Sequence, residues 1–131
     1  MHTVTTLGLW ATAIAALCAG LSGPASAAGG QAALDQTPGG KFNKEDYALM
    51  MARVNEALRA DKDGETLDWK NDKTPASGSV TALERLVSEG VPCRRLRIHN
   101  AYGDLKAQGV YKFCEKRPGQ WKLVGRDQSP T

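Results

Sequence analysis

GVPCRRLRIHNAYGDLKAQGVYKFC, residues 90–114, sets two cysteines at the ends of a run rich in arginine, lysine and aromatic side chains. Placing Cys93 directly opposite Cys114 brings Tyr102 opposite Leu105, with Gly103 and Asp104 left as a two-residue loop. Gly-Asp suits a tight hairpin turn. Counting outward from Tyr102 and Leu105 as a hydrogen-bonded pair puts the cysteines on a non-hydrogen-bonded pair, whose closer spacing suits a direct cross-strand bridge. Turn chemistry and cysteine spacing reach one register independently.

That register sorts the side chains. Leu96 faces Tyr111, Ile98 faces Gly109 and Phe113 faces Arg94, so this side is apolar apart from the Arg94 head and is expected to face a core. The opposite side carries the disulfide, Arg95 opposite Lys112, Arg97 opposite Val110 and His99 opposite Gln108. Like charges facing across a ladder cost stability. They are expected to persist where water or an anionic partner bathes the face.

Outward from the hairpin, 131 residues allow one small domain. Residues 1–27 hold no Lys, Arg, Asp or Glu, and Leu7 to Leu21 form an apolar run followed by Pro24 and Ala25-Ser26-Ala27. This is a signal-peptide pattern, and the run is shorter than the roughly 20 residues of a membrane span. The alternative is an uncleaved N-terminal anchor. Leu17, directly before Cys18, is not the small residue of a lipoprotein site, so Cys18 is expected to leave with the signal. Cleavage leaves Cys93 and Cys114, a pair that persists as a disulfide in an oxidising compartment. Closing about 22 residues contributes about 3 kcal/mol, which makes the pair structural; a redox pair is more often Cys-x-x-Cys.

The net charge is +3. It is uneven: from residue 91 onward nine basic residues meet three acidic ones, and the remainder of the chain is acidic. Such asymmetry points to an anionic contact or to a solvated face.

Residues 28–42 read as a flexible leader from their Gly, Ala and Gln content and a Pro-Gly-Gly break, without the spacing of a phosphate loop. A domain is expected over 43–127, and a tail over 128–131. Asn43 is a good N-cap, with Glu45 and Asp46 in the first turn. Tyr47, Met51, Val54 and Leu58 then recur at helical spacing, with Ala48, Ala52 and Ala57 beside them. The helix is expected to end near Asp61 to Gly64. Asp61, Asp63 and Glu65 lack the later ligands of a calcium loop, and a turn explains them better. Leu67 and Trp69 alternate with Asp68 and Lys70 as in a strand. SVTALERLVSEG is ambiguous: Thr81 and Glu84 resemble a capping box before a stop at Gly90, while Val80, Thr81 and Val87 also suit a strand. After the Arg117-Pro118-Gly119 turn, Trp121 and Leu123 alternate with Lys122 in a final short strand.

Five motifs in order carry a family resemblance: Gly64-Glu65-x-x-x-Trp69-x-Asn71, Gly78-Ser79-Val80-Thr81, Gly90-x-x-Cys93-Arg94, Gly109-x-x-x-x-Cys114 and Pro118-Gly119-x-Trp121-Lys122. Together they span about residues 56–124. This order resembles the C-terminal domain of the seventeen-kilodalton surface antigen family of bacterial envelope proteins. The resemblance implies an α+β fold, a helix packed on a small antiparallel sheet, and tips SVTALERL toward strand. It implies an envelope location and no enzymatic activity. The chain departs from the family in lacking the lipoprotein cysteine and a glycine-zipper stretch. It also reads Phe113-Cys114-Glu115 where the family usually has a small residue and Arg around the second cysteine.

No catalytic constellation is legible. His99, the one histidine past the signal, has no nucleophile or carboxylate tied to it by spacing, and a solvent-facing strand position accounts for it. One histidine and two separated cysteines make a poor zinc set, so neither metal nor cofactor is expected. Trp69 and Trp121 read as core aromatics. The leading expectation is a non-enzymatic protein of the periplasm or outer membrane, structural or interaction-mediating. A second reading is a binding module whose Arg95, Arg97, Lys112 and His99 meet an anionic envelope component or an acidic protein, with room for peripheral membrane association. A third is a secreted hydrolase inhibitor. Nucleic acid is a poor partner, because export and the opposite placement of aromatics and arginines disfavour it. The sequence does not specify an oligomeric state.

Overall fold

The computed structural model describes residues 37–127. Residues 1–27, read above as a signal peptide with Cys18 in it, residues 28–36 of the expected leader and the expected tail 128–131 lie outside the described residues. A single helical turn, α1 (Pro38–Lys41), precedes the helix α2 (Lys44–Arg59). Five strands follow: β1 (Thr66–Lys70), β2 (Ala76–Ser88), β3 (Val91–Tyr102), β4 (Leu105–Arg117) and β5 (Gln120–Arg126). They form one antiparallel sheet in the order β1-β2-β3-β4-β5, so each strand pairs with its chain neighbour.

The β3–β4 hairpin has the expected register, unbroken from Cys93 opposite Cys114 to Tyr102 opposite Leu105. Cys93 and Cys114 are bonded, with Cα atoms 4.0 Å apart. Gly103 has φ 58°, the positive value that the first position of a glycine-led hairpin turn requires.

SVTALERL lies in β2. Its pairing with β3 shifts between Ala82 and Arg85, where Leu83 and Glu84 together oppose Arg95 alone. This is a β-bulge, which interrupts the period-2 pattern and explains the helix-like reading. Gly90 is no helix stop. It follows Glu89 in the β2–β3 turn, and both residues have positive φ, 52° and 74°. A two-residue turn with both centres left-handed matches the natural twist of a hairpin.

Helix α2 lies on one side of the sheet. Val54, Ala57 and Leu58 pack with Val80, Ala82, Leu96, Ile98 and Phe113. The expected stripe is correct only in its second half: Tyr47 is 44 % exposed and Met51 41 %. The inward ridge runs instead through Asp46, Met50, Val54 and Leu58. The reason is local. Asn43 and Asp46 form a reciprocal cap, Asn43 Oδ1 accepting from the Asp46 N–H and Asp46 Oδ2 from the Asn43 N–H, each at 2.9 Å. The other Asp46 oxygen accepts from Asn71 Nδ2 and Thr74 Oγ1, both at 2.7 Å. These bonds fix position 46 toward the β1–β2 connection, and positions four and eight residues later follow it inward.

The packed unit also begins earlier than Asn43. Pro38 is buried at the start of α1, and Phe42 is buried against Trp69 and Ala76. The Phe42 ring meets Trp69 edge-on at 5.3 Å and Tyr47 at 5.6 Å. Thr37 to Phe42, read as part of a flexible leader, therefore close one end of the core.

Arg94 is the second interior charge, with 0 % exposure. Its Nε donates to the Leu83 carbonyl at 3.1 Å, Nη1 to Ala60 and Nη2 to Lys62, with Asp63 Oδ1 at 3.0 Å. The Ala60 carbonyl also accepts from Arg85 Nη2 at 2.7 Å. Two guanidinium groups thus meet the carbonyl end of α2, where the helix dipole favours cations. Burial pulls the Arg94 pKa down and the Arg85 charge adds to this, while Asp63 opposes both.

Candidate functional site

The sheet has a second side, opposite α2. Strand alternation places Thr81, Arg97 and Val110 in one row across it, and Ser79, His99 and Gln108 in the next. Arg95 and Lys112 form the row beyond, followed on β5 by Gly125. The four residues Arg95, Arg97, Lys112 and His99 therefore share one side, all of them partly exposed. Polar rows of Ser and Thr from β2 continue the surface toward β1, where Thr66 Oγ1 and Thr81 Oγ1 lie 2.8 Å apart.

Their electrostatic states differ. Arg95 Nη1 donates to Glu84 Oε1 at 2.5 Å, and Nη2 donates to the Asp127 carboxylate. The Glu84 bond is the main influence raising the Arg95 pKa. Reciprocally, the Arg95 bond holds the Glu84 carboxyl below its ordinary value. The opposed Arg95 and Lys112 were expected to persist through solvent or an anionic partner. Two acidic side chains of the same chain already compensate Arg95. Glu84 reaches it because the bulge offsets that stretch of β2, and Asp127 because the chain leaves β5 beside it.

Arg97, Lys112 and His99 are different. Among the described residues their side chains have no hydrogen bond or ion pair within the chain. Of the three, Lys112 borders a hollow of about 350 Å³, whose lining also includes Leu86, Arg95, Val124, Gly125, Arg126 and Asp127. Partly exposed Arg97 and Lys112 side chains can hold phosphate or carboxylate groups, Arg through a fixed fork of donors and Lys through a compact charge.

The disulfide lies on this same side, almost fully buried between β2 and β5: Leu86 is opposite Cys93 and Lys122 opposite Cys114. Among the described residues no group of three or more His, Cys, Asp or Glu could hold a metal ion. Asp63, weighed earlier as part of a faint calcium pattern, is paired with Arg94. No helix among the described residues is long and apolar enough to cross a membrane. The disulfide itself suggests an oxidising, exported environment.

Sequence reasoning placed the four basic candidates on one side but missed Glu84 and Asp127. The assignment of SVTALERL to a strand next to β3 would have brought Glu84 to Arg95; no local signal marks Asp127. Comparison with family models, curated proteins and solved structures finds no match for the chain.

Proposed function

We propose that this chain is an exported cell-envelope protein of the surface-antigen kind, acting by contact and not by catalysis, whose cationic sheet face meets an anionic envelope component. The observation that carries the reading is the trio Arg97, Lys112 and His99, held on a shared face of a rigid sheet with no partner within the described chain. Rigid placement lowers the ordering cost of binding. The positive charge toward the C-terminal half adds a longer-range attraction for anions. The signal-like first 27 residues and the disulfide support export.

The test is retention of the purified protein on envelope fractions across a salt series. Retention is expected to fall as salt rises, since exposed charges are screened within about 10 Å at 0.1 M. The double variant Arg97→Gln/Lys112→Gln should lose about tenfold in affinity at low salt and most of the salt dependence. Equal retention of the variant and the parent protein would remove this reading. Arg95 is unsuited to the test, because its removal also takes away the partner of Glu84.

A further inference from the structure

On the helix side, the core does not close completely. A cleft of about 370 Å³ runs between α2 and the far half of the sheet, walled by Met50, Met51 and Val54 on the helix and by Phe113, Trp121 and Leu123 on the strands. Its volume falls in the range of small-molecule sites, about 300–1,000 Å³. At its mouth Leu123 is 57 % exposed, although it lies opposite the buried Phe113 and on the same side.

Besides the rings of Tyr111 and Trp121, one side-chain amide borders this largely apolar setting. Asn100 lines the cleft, and its Oδ1 is buried with no hydrogen-bond partner. Its Nδ2 donates only to Met50 Sδ, at 3.4 Å, and a thioether is a weak acceptor. A buried carbonyl without a donor is costly, and native chains seldom leave one unless something else supplies the donor. The two methionines give the helix wall adaptable, polarizable side chains.

We propose that this cleft binds a small amphipathic molecule with an aliphatic body and a hydroxyl or amide N–H that donates to Asn100 Oδ1. The aliphatic part lies against Met50, Val54, Phe113 and Trp121. This site and the cationic face lie on opposite sides of the sheet, so each can fail alone.

The experiment titrates the full chain, with its disulfide intact, against 1-decanol and against 1-methoxynonane, an ether of equal size without a donor. Nuclear magnetic resonance follows the Asn100 side-chain amide and the Val54 and Leu123 methyl groups. Decanol is expected to give saturable shifts at all three positions, with the ether about fivefold weaker, as befits one buried hydrogen bond. Asn100→Leu should bind alcohol and ether equally. Leu123→Glu, at an exposed position that the fold does not need, should abolish both, whereas Arg97→Gln should change neither. No saturable shift with decanol, or equal affinity of the parent protein for alcohol and ether, would overturn the proposal. So would undiminished decanol binding by Leu123→Glu, which keeps the test decisive even where Asn100→Leu fails to fold.

Discussion

Asp46 is wholly buried at the start of α2, and burial alone would push its carboxyl pKa up. The Asn43 N–H, the Thr74 hydroxyl and the Asn71 amide outweigh that effect and hold it below the ordinary value. A depressed folded-state pKa contributes stability that is present above the unfolded value, near 3.9, and lost as pH falls through the folded one. Asp46→Asn is therefore expected to cost about 2 kcal/mol at pH 7, because the amide cannot accept from all three donors. The gap between variant and parent should narrow steadily below about pH 4. Urea unfolding at pH 7 and at pH 3 checks both statements; a gap independent of pH would contradict the charged interior state. The cap was half legible beforehand. Asn43 is recognisable because its bond is local, whereas Asn71 and Thr74 lie 25 and 28 residues away. Arg94 was obscured for the same reason: its carbonyl partners come from the end of α2 and the bulge of β2, which only tertiary packing brings together.

Among the elements, legibility followed the number of independent markers. The β3–β4 hairpin had three: two cysteines, a glycine-led turn and clean alternation. Strand β2 had none of these. Its alternation is broken where Leu83 and Glu84 share one partner, and Thr81 with Glu84 imitates a helix cap. Helix α2 was recognisable as an element, but its orientation was set by Asp46, whose place in the first turn was legible and whose distant partners Asn71 and Thr74 were not. The Glu89–Gly90 turn carries a further consequence. Glu89 adopts the left-handed region, which suits Asn or Gly better than a long side chain. Glu89→Asn is expected to raise unfolding free energy by about 0.5–1 kcal/mol, as compatible turn substitutions do. Thermal melting measures it, and a loss of stability would mean that the Glu89 side chain has an uncounted role.

For the whole molecule, sidedness is the organising fact. One side of the sheet holds α2, the core and the open cleft; the other holds the bridged cysteines with Arg95, Arg97, His99 and Lys112. The basic side could be read from period-2 spacing within one hairpin. The cleft could not, since it depends on how far α2 extends across strands distant in sequence. The cysteine bond spans 21 positions. Replacing both cysteines with alanine is expected to cost about 3 kcal/mol, chiefly by freeing the unfolded chain. Treating the parent protein with reductant should reproduce that loss in a urea melt, and an unchanged midpoint would show that the bridge adds nothing.

The strand order also bears on how the molecule assembles. Because every ladder joins segments adjacent along the backbone, no strand need wait for a distant one, and the loops closed at each step are short. Low contact order of this kind speeds folding for a sheet protein. The unfolded chain can zip its hairpins in succession, with thiol oxidation sealing a pairing that the backbone has already found.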